Sequence, residues 1–155
     1  QATEAQPKPV PDLELPHSIH GEKVLLVDDE SSIRKLWKRL LESMDYQVTT
    51  AVDGNEAYEL FSNNPSKFDL VITDLSIPGL TGIQLAEKIL QQRKNLPIIL
   101  ATGNASNIDI EALPQLGITE LLMKPVSRDQ MRLIVNKALN KAERTHHPKK
   151  TTSLG

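Results

Sequence analysis

Short apolar segments alternate with helical segments five times in about 120 residues of this chain. The apolar segments are KVLLVD (23–28), YQVTTA (46–51), DLVITD (69–74), PIILAT (97–102) and ITELLM (118–123). Strands separated by helices need crossover connections, which produce a parallel sheet covered by helices on both faces. The pattern therefore predicts an α/β fold with a doubly wound, five-stranded parallel sheet and five helices.

The first helix has the clearest periodicity, and its apolar face is predicted to comprise Ile33, Leu36, Trp37, Leu40, Leu41 and Met44. Ser31 or Asp29 is expected to cap this helix, and Asp53 and Thr81 are expected to begin the next two. The fourth helix, around 106–116, is weak and contains Pro114, which lacks a backbone donor and should shorten it. The polar face of the first helix (Arg34, Lys35, Lys38 and Arg39) is interpreted as solvated, with docking as the alternative.

The two ends of the chain lack any apolar period. Residues 1–21 are predicted to be a Pro-rich linker, because four of the ten prolines lie there. Residues 145–155 are predicted to be a disordered basic tail. A single globular domain is expected over 22–144.

The composition excludes several classes of protein. A hydrophobic content of 39% with 25% charged residues is typical of a globular domain, and a net charge of -2 argues against nucleic-acid binding. The absence of cysteine excludes a disulfide scaffold and a thiolate metal site, and it fits a reducing compartment. No apolar run approaches the roughly 18 residues of a membrane span. We therefore expect a cytoplasmic segment that contacts neither nucleic acid nor membrane.

Reactive side chains follow four of the five predicted strands. Asp28 and Asp29 follow the first strand, Asp74 ends the third, Thr102 ends the fourth and Lys124 follows the fifth. Ligands of open α/β sheets bind beyond the carboxyl ends of the strands, so these groups are expected to converge there. The second strand contributes no comparable group, which suits an edge strand.

Three neighbouring carboxylates repel one another unless a cation joins them. An all-oxygen ligand set suits Mg²⁺. An ionised aspartate can also attack phosphorus and form an aspartyl-phosphate, whose charge a metal and Lys124 would neutralise while Thr102 donates a hydrogen bond. Taken singly, each residue has an ordinary alternative: the paired acids as caps, Asp74 as a turn residue, Thr102 as a β-branched strand residue and Lys124 as a surface charge.

Four motifs resemble the receiver domain of two-component response regulators: VLLVDDE, DLVITDLSIPGLTG, PIILATG and LLMKPV. The resemblance spans about residues 22–143. It implies a flavodoxin-like fold with strand order 2-1-3-4-5, and a monomer that accepts a phosphoryl group from a phosphohistidine on a histidine kinase or histidine phosphotransfer protein. Such a domain catalyses its own aspartyl phosphorylation and dephosphorylation.

The resemblance also implies residue roles. Asp74 is the phosphoacceptor, Thr102 the switch hydroxyl and Lys124 the cation that pairs with the phosphoryl group. Asp28, Asp29, Asp74 and the backbone carbonyl of Ser76 hold Mg²⁺, Asp28 mostly through water. A cis peptide bond is expected between Lys124 and Pro125.

Two departures from the family pattern concern output rather than chemistry. Leu121 occupies the position where many receivers have a switching aromatic residue, and Pro114 interrupts the fourth helix. A Pro-rich linker ahead of the domain, with no DNA-binding domain after it, resembles the C-terminal receiver of a hybrid histidine kinase. A stand-alone response regulator is the alternative.

The sequence argues against three rival functions. An unphosphorylated interaction module typically loses an acid or the lysine, and none is lost here. A Mg²⁺-dependent phosphatase with an aspartyl nucleophile would usually have a second Asp at the position of Ser76. A nucleotide-binding fold would need a Gly-rich loop after the first strand.

Overall fold

The computed structural model describes residues 21–104, 106 and 108–146. One parallel sheet contains five strands, namely β1 (Lys23–Val27), β2 (Gln47–Ala51), β3 (Leu70–Asp74), β4 (Ile98–Thr102) and β5 (Glu120–Met123). They are hydrogen-bonded in the order β2-β1-β3-β4-β5. The predicted fold class and strand order 2-1-3-4-5 are confirmed, and β2 lies at an edge.

Among the described residues, four α-helices flank the sheet, namely α1 (Ser31–Ser43), α2 (Gly54–Asn63), α3 (Gly82–Gln92) and α4 (Arg128–His146). The helical segment between β4 and β5 consists of two short 3₁₀ turns, Ile110–Ala112 and Pro114–Leu116, among the residues described there. Pro114 is the first residue of the second turn, where its missing N–H is not needed. The predicted shortening of this segment is therefore confirmed.

Alternate residues of the strands contact opposite layers of helices. Val24 and Leu26 of β1 pack in one core cluster with residues of α1 and α4, whereas Leu25 and Val27 pack in the other with residues of α2 and α3. Burial on both faces explains why β1 and β4 are continuous apolar runs rather than alternating ones. The sheet is thus a rigid platform whose carboxyl edge carries the loops described below.

Helix caps agree with the sequence in two cases and differ in one. Asp53 accepts a hydrogen bond from the backbone N–H of Glu56 at 2.8 Å. Thr81 and Gln84 form a reciprocal capping box at the start of α3. The expected cap of α1 by Ser31 or Asp29 is wrong, since its N-cap residue is Glu30 and no side-chain cap hydrogen bond is present there.

The buried face of α1 is narrower than its periodicity predicts. Trp37 and Leu41 are buried, whereas Leu36, predicted to face inward, is 48% exposed. Arg34, interpreted as part of a solvated face, donates from Nη1 to the backbone carbonyl of Asp28 at 2.8 Å. One side of this helix therefore contacts the loop that carries the paired acids.

The ends of the chain lie largely outside the described residues. This applies to the predicted linker at 1–21, except for Gly21, and to the predicted tail at 145–155 beyond His146. Helix α4 itself continues to His146, two residues past the predicted domain boundary at 144. Within the described part of the chain, the helices are too short or too polar to cross a membrane.

Candidate functional site

Three carboxylates meet at the carboxyl edge of the sheet. Asp28 and Asp29 follow β1, and Asp74 is the last residue of β3, the neighbour of β1. One ligand oxygen from each residue lies within 4.8 Å of the others. Asp28 is buried, Asp74 is partly buried and Asp29 is exposed, so the cluster opens toward solvent on one side. The structure thus brings together the three acids that the sequence placed at strand ends.

Lys124 completes this cluster from the other side. Its Nζ lies 3.0 Å from Oδ2 of Asp28 and 3.1 Å from Oδ1 of Asp74. Only 17% of its side chain is exposed, so the alternative of a solvated surface lysine is wrong. The Lys124–Pro125 peptide bond is cis, as the resemblance implies.

Backbone hydrogen bonds fix the loops that carry these groups. The N–H of Lys124 donates to the carbonyl of Thr102 at 2.8 Å, and the N–H of Leu75 donates to the carbonyl of Ala101 at 2.8 Å. The N–H of Asp28 donates to the carbonyl of Ala51 at 3.2 Å, which extends the pairing of β1 with β2 by one residue. Asp28, Asp74 and Lys124 are therefore carried on backbone that belongs to the sheet or is hydrogen-bonded directly to it.

Thr102 and Ser76 flank the acid cluster along the chain. Thr102 is buried, and its hydroxyl donates to the carbonyl of Asn104 and accepts from the N–H of Asn104, both at 3.1 Å. It ends β4, one residue beyond Ala101, which is the register partner of Asp74. Ser76 is exposed and lies two residues after Asp74. Both residues thus lie at the predicted edge of the sheet.

At the carboxyl edge of the sheet, the negative charge of the three clustered carboxylates exceeds the positive charge of Lys124. Burial raises the pKa of Asp74 above its ordinary value of 3.8, and the charges of Asp28 and Asp29 raise it further, whereas Lys124 opposes both effects. Burial alone would lower the pKa of Lys124, but hydrogen bonds and charge interactions with Asp28 and Asp74 outweigh it, so that pKa is raised. Lys124 contacts two of the three clustered acids, so the carboxylates carry more negative charge than this lysine can neutralise, which favours a bound cation.

The ligand set fits Mg²⁺. All three side chains offer oxygen, the described residues bring no histidine into this cluster, and the exposed position of Asp29 leaves room for metal-bound water. Asp28, Asp29 and Asp74 are the side chains that would hold the ion.

Two residues that help to position Asp28 and Asp74, namely Arg34 and Gly82, were not predicted from the sequence. Arg34 was interpreted as solvated, although its guanidinium fixes the carbonyl of Asp28. Gly82, the first residue of α3, packs so closely against Asp74 that a Cβ there would lie 2.5 Å from the backbone oxygen of Asp74 and 2.9 Å from Leu100 Cδ1. For Gly82, the sequence offered one indication of this close packing, namely a glycine at the position where a helix begins.

The opposite edge of the sheet contains a cavity of about 190 Å³. It lies beside the residues that precede β4 and β5, including Lys94–Pro97, Gly117 and Thr119, together with Lys141 of α4. Because strands of a parallel sheet run the same way, this cavity is at the amino-terminal edge, away from the carboxylates. It does not form part of the acidic site.

A parallel sheet with the order 2-1-3-4-5, carrying acids, a hydroxyl and a lysine at its carboxyl edge, defines a flavodoxin-like α/β domain. The family model described as "Response regulator receiver domain" matches residues 24–136. The chain belongs to this family, the receiver domains of two-component systems.

Curated relatives support the same assignment. The chain is 34% identical over 123 residues to the alkaline phosphatase synthesis transcriptional regulatory protein PhoP of Bacillus subtilis, covering 79% of this chain and 50% of that protein. It is 32% identical over 133 residues to transcription factor SKN7 of Chaetomium thermophilum, covering 86% and 17%. The chain thus spans half or less of the length of these two relatives.

Solved structures agree in fold. A response regulator receiver domain protein from Clostridium thermocellum superimposes with a TM-score of 0.73 at 32% identity, covering 79% of this chain and 97% of that one. The receiver domain of the sensor histidine kinase PA1611 from Pseudomonas aeruginosa has a TM-score of 0.70 at 28% identity, covering 78% and 99%. That structure has a magnesium ion coordinated in its active site cleft.

Proposed function

We propose that this domain accepts a phosphoryl group on Asp74, in a Mg²⁺-dependent reaction, from a phosphohistidine of a histidine kinase or histidine phosphotransfer protein. The observation that carries the proposal is the position of Lys124, whose ammonium lies 3.1 Å from the Asp74 carboxylate. Oxygens of Asp28 and Asp29 lie within 4.8 Å of an oxygen of the same carboxylate. A reactive carboxylate, a fixed cation and a divalent-ion site are what phosphoryl transfer to an aspartate requires.

The bond changes are simple. A carboxylate oxygen of Asp74 attacks phosphorus, a new O–P bond forms, and the N–P bond of the donor phosphohistidine breaks with its electron pair retained by the imidazole nitrogen. Lys124 then pairs with the negative phosphoryl oxygens. Mg²⁺, when bound by Asp28, Asp29, Asp74 and the carbonyl of Ser76, supplies further positive charge to the same oxygens.

Thr102 is proposed as the group that responds to the phosphoryl. Its hydroxyl donates a hydrogen bond to the backbone carbonyl of Asn104, with an oxygen–oxygen distance of 3.1 Å. A phosphoryl oxygen is a stronger, charged acceptor, so the hydroxyl should exchange one partner for the other after transfer. Leu121 is partly buried against the core cluster that includes Leu113 and Ile118. Because its side chain is not aromatic, the aromatic rotation of many receivers cannot occur at this position.

The parent protein is proposed to be a hybrid sensor histidine kinase, and its receiver is proposed to act as a monomer in the cytoplasm. The likeness to the PA1611 receiver, which belongs to a sensor histidine kinase, supports this context. A stand-alone response regulator is the second candidate, because PhoP and other relatives are transcriptional regulatory proteins. Faster phosphotransfer from a purified histidine phosphotransfer protein than from an isolated kinase core would favour the first context, and the reverse order would favour the second.

The chemistry is tested with acetyl phosphate as donor. Incubation with Mg²⁺ should add one phosphoryl group to the intact protein, as measured by mass spectrometry, and chelation by EDTA should prevent it. Asp74→Asn should remain unmodified. Asp45→Asn is the matched control, because Asp45 is exposed at the far end of the domain and its positive φ suits Asn.

Equal labelling of wild type and Asp74→Asn would overturn the acceptor assignment. No labelling of the wild-type protein by either acetyl phosphate or a phosphohistidine protein would favour the rival function, an interaction module that is never phosphorylated.

A further inference from the structure

Trp37 is the single tryptophan of the chain, and it lies beneath the acidic site. It is 2% exposed, on the inward face of α1. The Nζ of Lys124 lies 5.7 Å from the centroid of its ring. A residue that the sequence assigned only to the core therefore contacts the cation of the site.

The ammonium of Lys124 is held from three directions. Oδ2 of Asp28 and Oδ1 of Asp74 lie at 3.0 and 3.1 Å, and the indole ring forms the third side. An ammonium within about 6 Å of an aromatic centroid is attracted to the ring, and the attraction increases when water is excluded. The lysine side chain is only 17% exposed, so little water competes with the ring.

A purely structural role for Trp37 would need only apolar volume. The ring does pack in the core cluster with Met131, Val135 and Leu122, and a leucine could fill much of that space. Leucine, however, has no π face for the ammonium. The two roles are therefore separable by comparing substitutions that keep or remove the aromatic ring.

We propose that Trp37 is a positioning residue for Lys124, and that its ring holds the ammonium between Asp28 and Asp74. The inference rests on the proposed function insofar as Lys124 acts on the phosphoryl group. The contact between the Trp37 ring and the Lys124 ammonium, however, is also present in the unphosphorylated, metal-free protein. A correctly placed cation stabilises the charge that develops during transfer, so a displaced one slows the reaction.

The kinetic test compares Trp37→Phe, which keeps an aromatic face, with Trp37→Leu, which does not. The rate constant for labelling by acetyl phosphate at saturating Mg²⁺ should fall about threefold to tenfold in Trp37→Leu and less than about twofold in Trp37→Phe. Phe61→Leu is the matched control, because Phe61 is a fully buried aromatic residue of the other core cluster. It should lower stability without slowing the reaction. Equal rates for Trp37→Leu and Phe61→Leu would overturn the inference.

A spectroscopic test needs no reaction and keeps the tryptophan in place. In the metal-free protein, Lys124→Met should change the emission of Trp37, because it removes a charge 5.7 Å from the ring. Lys137→Met, on the exposed side of α4, should leave the emission as in wild type. An unchanged spectrum for Lys124→Met would overturn the inference even if Trp37→Leu fails to fold. If the spectrum changes but wild type takes no phosphoryl group, the contact stands and the proposed function fails.

Discussion

The ammonium of Lys124 lies 3.1 Å from a carboxylate oxygen of Asp74, although Asp74 ends β3 and Lys124 follows β5, which are not neighbours in the sheet. Strand β4 separates them and supplies the backbone carbonyls of Ala101 and Thr102 that hold both loops. The contact between Lys124 and Asp74 therefore depends on the register of three strands. It also places the cation of the site against Trp37 of α1.

Mg²⁺ should stabilise the folded domain, because the ligand cluster exists only when β1 and β3 are paired. At ten times its dissociation constant, an ion that binds only the folded state adds about 1.4 kcal/mol to the free energy of unfolding, or about 3–6 °C in Tm. Thermal unfolding with and without Mg²⁺ measures this. Asp29→Asn should lose most of the rise and Asp45→Asn should keep it. An undiminished rise in Asp29→Asn would remove Asp29 from the ligand set.

Lys124→Ala should destabilise the metal-free protein by about 1–3 kcal/mol, below the cost of breaking a fully buried ion pair. The reason is that Asp28 and Asp74 lose the ammonium that both of them contact. The same loss should raise the affinity for Mg²⁺, since no fixed cation then competes with the ion. Urea unfolding measures the predicted loss of stability, and Mg²⁺ titration measures the predicted rise in affinity. Lys137→Ala, whose partner Glu120 is 3.9 Å away, should change stability by less than about 0.5 kcal/mol.

Asp74→Asn should stabilise the metal-free protein at neutral pH. The pKa of Asp74 is raised on folding from 3.8, so the folded state binds its proton more tightly than the unfolded state does. Between the unfolded and folded pKa values, stability therefore falls as pH rises, and the full cost is present above the folded pKa. The advantage of Asp74→Asn should accordingly be largest near pH 7 and vanish below about pH 3.8.

Thermal unfolding in EDTA from pH 3.5 to pH 7.5 measures this difference, with about 2–4 °C expected for each kcal/mol in a chain of this size. A variant that is less stable than wild type at pH 7 would mean that Lys124 more than compensates the buried charge of Asp74. Asp45→Asn should show no comparable pH-dependent gain, because Asp45 is exposed.

Gly82→Ala should lower the free energy of unfolding by about 1–3 kcal/mol, the usual cost of overpacking. Its Cβ would lie 2.5 Å from the backbone oxygen of Asp74, so either α3 or Asp74 must move. Gly103→Ala is the control, because nothing lies within 4 Å of a Cβ there. Equal stability of the two variants would show that α3 adjusts without cost. Urea unfolding in EDTA separates the effect from metal binding.

Several features could be read from the sequence because local chemistry decides them. Continuous apolar runs marked β1 and β4 as strands buried on both faces, and Asp53 and Thr81 marked two helix starts. Pro114 indicated that the fourth helical segment would be short. The acids were found because strand ends in a parallel sheet share one edge.

Other features depended on contacts that no local pattern encodes. Leu36 fits the apolar period of α1 and is nevertheless half exposed, because the helix packs on Trp37 and Leu41 instead. Arg34 looked solvated but reaches the carbonyl of Asp28. Helix rotation about its own axis is set by the side chains of the opposing sheet, which periodicity alone does not contain.

By itself the sequence determined the order of elements, the class of fold and the identity of the acids, hydroxyl and lysine at the strand ends, because these follow from hydrophobic period and chain direction. Tertiary structure alone decided that Lys124 lies between Asp28 and Asp74 with the ring of Trp37 against it. Those distances arise where α1 packs against the sheet and where β4 aligns its neighbours, and such packing is a property of side chains brought together from distant parts of the chain.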